Sequence, residues 1–426
     1  MASNSGQELQ INIQGGKKDS LKWQLKTGEI REISPGESGN DHFYFVLREG
    51  NNPNREDTPV LTSKDTIHRV VGLTDDPTHI ISYPKWRASG NPERIRRKTG
   101  EGLHHVGFPD GTERRLRHNP RNFRWSETYG TFLPLTDFTQ QKVEILDPRE
   151  TLKRRLYETI PQLRGIRMLL QGMEKADSRL TAGRFGLDAS LLVETDTPNS
   201  DIDLIFYGPP DLALAAYHAY FDNVQKQNYI TTPVTNAEKF ISRRRAYSPF
   251  ATDNEIIEAE NRKMSAFVTV DGSPIKFSIL PINPTARTDF KLQPTGMYAA
   301  VSGSVNAERV FYEPDYVVIG DSKVIWGPGN IQIAGIYSGL PSKTGFLLKK
   351  GDRLVSTGEI MSMTDKDGKN ERFVLAQFPW TEMGFGGKKL TTYPVVDREP
   401  TWREIGDYFL NNTFGKPAPD IDHIGT

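Results

Sequence analysis

Cysteine is absent from this 426-residue chain, which excludes disulfides, thiolate metal centres and a cysteine nucleophile. Net charge is absent as well, because 54 Lys and Arg balance 54 Asp and Glu. No global field therefore steers the molecule toward nucleic acid or a membrane, and any such preference has to come from local patches. No apolar run of about 18 residues occurs, and the opening MASNSGQELQINIQGG lacks the basic-then-apolar order of a secretory signal. These absences predict a cytoplasmic protein without a membrane partner. No repeat at a solenoid period stands out. The remaining composition, 36% hydrophobic and 25% charged, is that of a globular protein, long enough for roughly two to four domains.

The most informative stretch is Ser200 to Gly208, SDIDLIFYG. On a strand, alternate side chains share a face, so Asp201 and Asp203 project together while Ile202 and Leu204 point the other way. Two carboxylates on one edge make a hard oxygen site suited to Mg²⁺, or Mn²⁺, with substrate phosphates as further ligands. A bare D-x-D can equally be a solvated strand end, so the text around it decides. Before it, FGLDASLLVETDTPN gives a short strand, a turn of small residues at Gly186, Ala189 and Ser190, and a polar loop. Small residues let the backbone approach phosphate oxygens, and the Ser190 hydroxyl can bond to them.

The rest of the chain supplies the surroundings. Residues 1–62 are polar and loop-rich and read as a partly ordered extension, with one alternating piece at 42–47. Residues 63–130 read as a small antiparallel β-domain that concentrates basic residues, among them Arg94, Arg96, Arg97 and Lys98, with Trp86, His104 and His105 interleaved. Charge for phosphates beside aromatic faces for bases is what single-stranded nucleic acid requires, and these four are the candidate RNA contacts; the alternative is a solvated arginine rim. Between Asp147 and Arg184 the apolar spacing is helical, and Pro161 divides it into two helices. Later helices end in Arg243-Arg244-Arg245 and Arg262-Lys263. Cations in a last turn answer the helix dipole, and Arg244 and Lys263 are also candidate phosphate clamps. From 299 to 400 short strands with Gly and Pro turns indicate a barrel or sandwich, and 401–426 is a tail.

The composite of FGLDASLL and SDIDLIFYG resembles the nucleotidyltransferases of the DNA polymerase beta superfamily, and the order of flanking segments resembles the predicted archaeal-type members with an accessory N-terminal β-domain. The resemblance covers about residues 63–400 and is carried by 184–208. It implies an α+β fold: a mixed-sheet core with helices on one face, over 147–298, flanked by small β-rich domains. It also implies transfer of a nucleoside monophosphate from a nucleoside triphosphate to an acceptor hydroxyl; the Arg-rich β-text makes RNA the favoured acceptor, and a protein partner is possible. Asp201 and Asp203 would be catalytic metal ligands, and Gly186, Ala189, Ser190 and Ser200 would lie against the nucleotide.

Two departures stand out. The signature's Gly-Ser is Ala189-Ser190 here, and the third carboxylate expected on a later strand falls in SPIKFSILPI at Ser278. Lys276, on the same face as Ser278, would place positive charge where a second metal would otherwise sit. The alternative reading is a catalytically impaired nucleotide- or RNA-binding sensor or scaffold with this fold.

Overall fold

The computed structural model describes residues 9–10, 21–25, 30–33, 44–47, 66–73, 79–97, 99–105, 123–126, 131–137, 143–224, 230–231, 241, 252–282, 290–310, 315–338, 347–365, 367–377, 393–394, 401 and 403–404. Helices and sheets are both present, so the fold is α+β. The chain forms two compact units: residues 1–124, 133–230 and 267–286 make the first, and 125–132, 231–266 and 287–426 the second. The tract 147–298 is thus shared between them. Among the described residues no helix is long and apolar enough to cross a membrane.

The first unit opens with β1 (Leu9–Gln10), β2 (Leu21–Leu25), β3 (Ile30–Ile33), β4 (Tyr44–Leu47), β5 (Thr66–Leu73), β6 (His79–Ala88), β7 (Arg94–Ile95) and β8 (Gly102–His105). Together with β9 (Phe123–Ser126), β10 (Thr131–Asp137) and β11 (Val143–Leu146) they form one eleven-stranded sheet. The described strands of the polar extension belong to this sheet. Its alternating piece becomes β4, pairing antiparallel with β5 and with β11.

Helix α1 (Pro148–Arg155) starts where Asp147 accepts hydrogen bonds from the amides of Arg149 at 2.8 Å and Glu150 at 3.1 Å, an N-cap followed by proline at the first helical position. Helix α2 (Pro161–Ala176) follows after a break at residues 156–160, with the proline as its first residue. Its buried stripe is Leu163, Ile166, Leu169, Leu170 and Met173. Next come β12 (Phe185–Leu187), the short α3 (Ala189–Val193), β13 (Ile202–Tyr207) and α4 (Pro210–His218), which runs on as a π-helical segment to Val224. After β14 (Ile230–Thr231) and α5 (Asp253–Asn261), β15 (Ser265–Val270) and β16 (Ser273–Ile282) complete a five-stranded sheet ordered β12-β13-β16-β15-β14. The sheet is mixed: β12 and β13 are antiparallel, β13 and β16 parallel. Helix α2 approaches it closely at Gly165, where a Cβ would come within 3.0 Å of Val268 and 3.4 Å of Ile202.

The second unit contains β17 (Phe290–Val305), β18 (Arg309–Val310), β19 (Asp315–Trp326), β20 (Ile333–Ser338), β21 (Leu347–Leu348), β22 (Arg353–Asp365), β23 (Arg372–Gln377) and β24 (Tyr393–Pro394). The neighbours run β17-β19-β20-β23-β22, and β22 pairs back onto β17, so five strands close a barrel. The spatial order β22-β17-β19-β20 is a Greek key, and β23 closes it by running parallel to β20. The barrel-or-sandwich alternative resolves to a barrel that begins at Phe290. Val301, Val317, Ile319, Ile336, Leu354, Ile360 and Leu375 fill its core.

Candidate functional site

The pleat of β13 delivers what the D-x-D alternation implies. Ile202, Leu204 and Phe206 are buried at 1%, 1% and 0% exposure, while Asp201 is half exposed and Asp203 half-buried on the opposite face. Strand β16 lies parallel beside β13 in a register that sets Ser278 opposite Asp203. Its own alternation buries Ile275, Phe277 and Ile279 and turns Lys276 and Ser278 toward the carboxylates. The Ser278 hydroxyl donates to Asp203 Oδ1 at 2.6 Å, and Lys276 Nζ lies 3.7 Å from Asp201 Oδ2. Farther along the same face Ile205, Tyr207 and Leu280 form a small apolar cluster, with the Arg149 guanidinium 4.8 Å from the Tyr207 ring centre. The face is polar around Asp201, Asp203, Lys276 and Ser278 and apolar beyond.

Among the described residues no three His, Cys, Asp or Glu side chains converge as a metal site, so the acidic part of this site is a pair. Its donor set fits one divalent cation. Among the described residues Asp203 has one oxygen engaged by Ser278 and Asp201 has one facing Lys276, which leaves the second oxygen of each carboxylate for a hard cation.

The small-residue turn lies directly against this pair, because the Asp188 amide donates to the Asp203 carbonyl at 2.9 Å. Asp188 also caps α3, accepting from the Ala189 amide at 2.7 Å. Ala189 takes φ 50° and Glu194, at the helix's other end, φ 62°; both are left-handed conformations that cost a side-chain-bearing residue. Ala189 and Ser190 are half-buried. Gly186 is buried in β12, where Pro148 Cβ would stand 2.6 Å from an added Cβ; its bareness makes room for helix α1. Ser200 is 5% exposed, and its hydroxyl oxygen accepts from the Thr197 amide at 2.9 Å. That oxygen closes the turn before Asp201. Lys263 is buried in the second unit, after α5. Arg244 and Lys98 lie outside the described residues.

Three arginines of the β-domain's basic cluster have partners within the chain. Arg96 is 1% exposed and ion-paired with Glu101 at 3.5 Å, so its guanidinium is not available to a phosphate. Arg97 binds Asp196 Oδ2 at 2.6 Å, and its amide donates to the Glu194 carbonyl at 2.9 Å. Arg94 donates to the Thr197 hydroxyl at 3.2 Å. These arginines fasten the β7–β8 hairpin to loop 194–197, which leads into the D-x-D strand. Arg97 answers an acid 99 residues away, Arg96 one within the hairpin and Arg94 a distant hydroxyl, and composition alone reads the three as a nucleic-acid patch.

The core side of this joint was not visible in the sequence. Arg155, 1% exposed, reaches Asp196 Oδ1 at 3.2 Å, both oxygens of Glu158 at 3.0 Å and the Leu191 carbonyl. Arg154 holds Glu194 at 2.6 Å. Burial opposes the charge of Glu194, but the Arg154 hydrogen bond, with the charges of Arg154, Arg155 and Arg96, outweighs it and holds the carboxyl below the usual glutamate range. The available signal was a pair of acids, Glu194 and Asp196, in a loop bounded by buried apolar residues. No protein-family description, curated protein or solved structure matches this chain.

Proposed function

We propose that the chain is a metal-dependent nucleotidyltransferase of the DNA polymerase beta superfamily type, moving a nucleoside monophosphate from a nucleoside triphosphate to an acceptor hydroxyl. The observation that carries this reading is the pairing of Asp201 and Asp203 on one strand face with the parallel neighbour, whose Ser278 hydroxyl bonds to Asp203 and whose Lys276 lies 3.7 Å from Asp201. Asp201 and Asp203 would hold Mg²⁺ or Mn²⁺, which when bound neutralises phosphate charge and polarises phosphoryl oxygens. The α3 turn beside Asp203 offers Ser190 to the phosphates. Lys276 adds a fixed positive charge at the same edge, where catalysis of this kind is mostly positioning and charge neutralisation. In the reaction the acceptor oxygen bonds to the α-phosphorus, the α–β phosphoanhydride bond breaks, pyrophosphate leaves, and the acceptor proton passes to solvent.

RNA remains the favoured acceptor, now on different grounds. With the hairpin arginines committed internally, the support is the five-stranded Greek-key barrel of the second unit, an architecture that holds oligonucleotides and oligosaccharides in other proteins. This is an analogy of fold.

A second reading is favoured by Ser278 itself. A hydroxyl that donates to Asp203 is no base for the acceptor, so the site could bind nucleotide or RNA ends as a sensor or scaffold without transferring anything. Incubation with each α-labelled triphosphate, Mg²⁺ or Mn²⁺ and total RNA separates the two. Transfer of label with pyrophosphate release, lost when Asp201→Ala and Asp203→Ala are combined, supports the enzyme. Tight binding without either product supports the sensor.

A further inference from the structure

We infer that Gln162 is a positioning residue for Asp201, and that helix α2 fixes this carboxylate by gripping the chain on both sides of it. The inference rests on the nucleotide-site reading above. Gln162 is the second residue of α2 and is 1% exposed, a polar side chain placed where the helix's other buried positions are apolar or glycine. Its carboxamide nitrogen donates to the carbonyl oxygens of Thr197 at 2.7 Å and Pro198 at 3.0 Å, with the Ser200 carbonyl at 3.4 Å. Two amide protons thus serve carbonyls drawn from one turn.

The turn is closed from within as well. Ser200 Oγ accepts from the Thr197 amide at 2.9 Å, and the Ser200 amide donates to the Thr197 carbonyl at 2.9 Å. Asp201 is the next residue. On its far side Ile202 is buried under α2 at the close approach of Gly165. One helix therefore holds residue 200 through a hydrogen-bonded turn and residue 202 through packing.

Asp201 needs such a mount because its own side chain is half exposed and, among the described residues, meets Lys276 alone, at 3.7 Å. An exposed carboxylate has no packing to fix it, yet a bound cation and phosphates demand a constant position, and small misplacements are costly. Here the constancy comes from the backbone, through a residue that touches neither ligand.

Three full-length variants test the inference: Gln162→Met, which keeps length and removes both donors, and two controls on the same helix away from the loop, Ile166→Val and Met173→Ala. The readouts are amide hydrogen exchange over 197–203, melting temperature without ligand, and affinity for a fluorescent non-hydrolysable ATP analogue with Mg²⁺. Gln162→Met is expected to speed exchange in 197–203 and weaken analogue binding about tenfold or more. The controls lower the melting temperature and leave affinity unchanged. Wild-type affinity in Gln162→Met, or an equal loss in a control of matched stability, overturns the inference while the nucleotide reading stands. A wild-type protein that binds no analogue overturns both, and the exchange data then report only a structural clamp.

Discussion

Ser278 places a hydroxyl where a third carboxylate would complete the acidic site, and it spends its proton on Asp203 Oδ1. Replacing it by aspartate removes a donor and adds a like charge beside Asp203, which a divalent cation would relieve. Ser278→Asp is therefore expected to tighten Mn²⁺ binding about tenfold or more, read by paramagnetic titration without nucleotide. Unchanged affinity would mean that position 278 does not face the cation. A second residue-scale expectation concerns Ala189, whose φ of 50° suits glycine. Ala189→Gly should relieve roughly 1 kcal/mol of backbone strain, offset in part by glycine's greater unfolded-state freedom. A net rise in melting temperature is the expected result, and a fall would show that the methyl group packs usefully.

At the scale of elements, much was legible because short-range rules decided it. Pro161 opens the second helix after the first ends at Arg155 and the chain breaks at 156–160, and the period-2 patterns of β13 and β16 set which side chains share the carboxylate face. The hairpin and its loop were not legible, because the identity of a partner across about a hundred residues is not written in local spacing. Arg97, read as part of a basic patch, pairs with Asp196, and the same acid takes Arg155. That joint should be acid-sensitive. The folded Glu194 carboxyl lies below its ordinary value, so its contribution is fully present above the unfolded glutamate pKa and is lost as pH falls through the lower, folded one. Between neutral pH and about pH 3, the wild type is expected to lose more melting temperature than Glu194→Gln. Equal slopes would remove Glu194 from the acid response.

The whole molecule carries no net charge, and Arg94, Arg96 and Arg97 of the hairpin bind partners within the chain. Binding to RNA, if driven by the barrel unit, should then be indifferent to them. Arg96→Ala leaves Glu101 buried without its ion-pair partner, and breaking a buried pair in this way costs about 3–5 kcal/mol. The expected signature is a large loss of thermal stability with unchanged RNA affinity, measured well below the variant's melting temperature. Reduced affinity at preserved stability would return this arginine to a nucleic-acid role. The barrel itself was foreseeable from regularly spaced short strands, whereas its closure depends on β17 pairing β22, a contact that spacing does not fix.

The central claim is that Asp201 and Asp203 hold the cation that escorts a nucleoside triphosphate. Equilibrium titration of the wild type and of Asp203→Asn with a triphosphate, with and without Mg²⁺, tests it most directly. The account predicts Mg²⁺-dependent binding by the wild type and a loss of about a hundredfold or more in the variant, with its melting temperature little changed. Binding that ignores both Mg²⁺ and Asp203, or no binding by the wild type to any triphosphate, would contradict it.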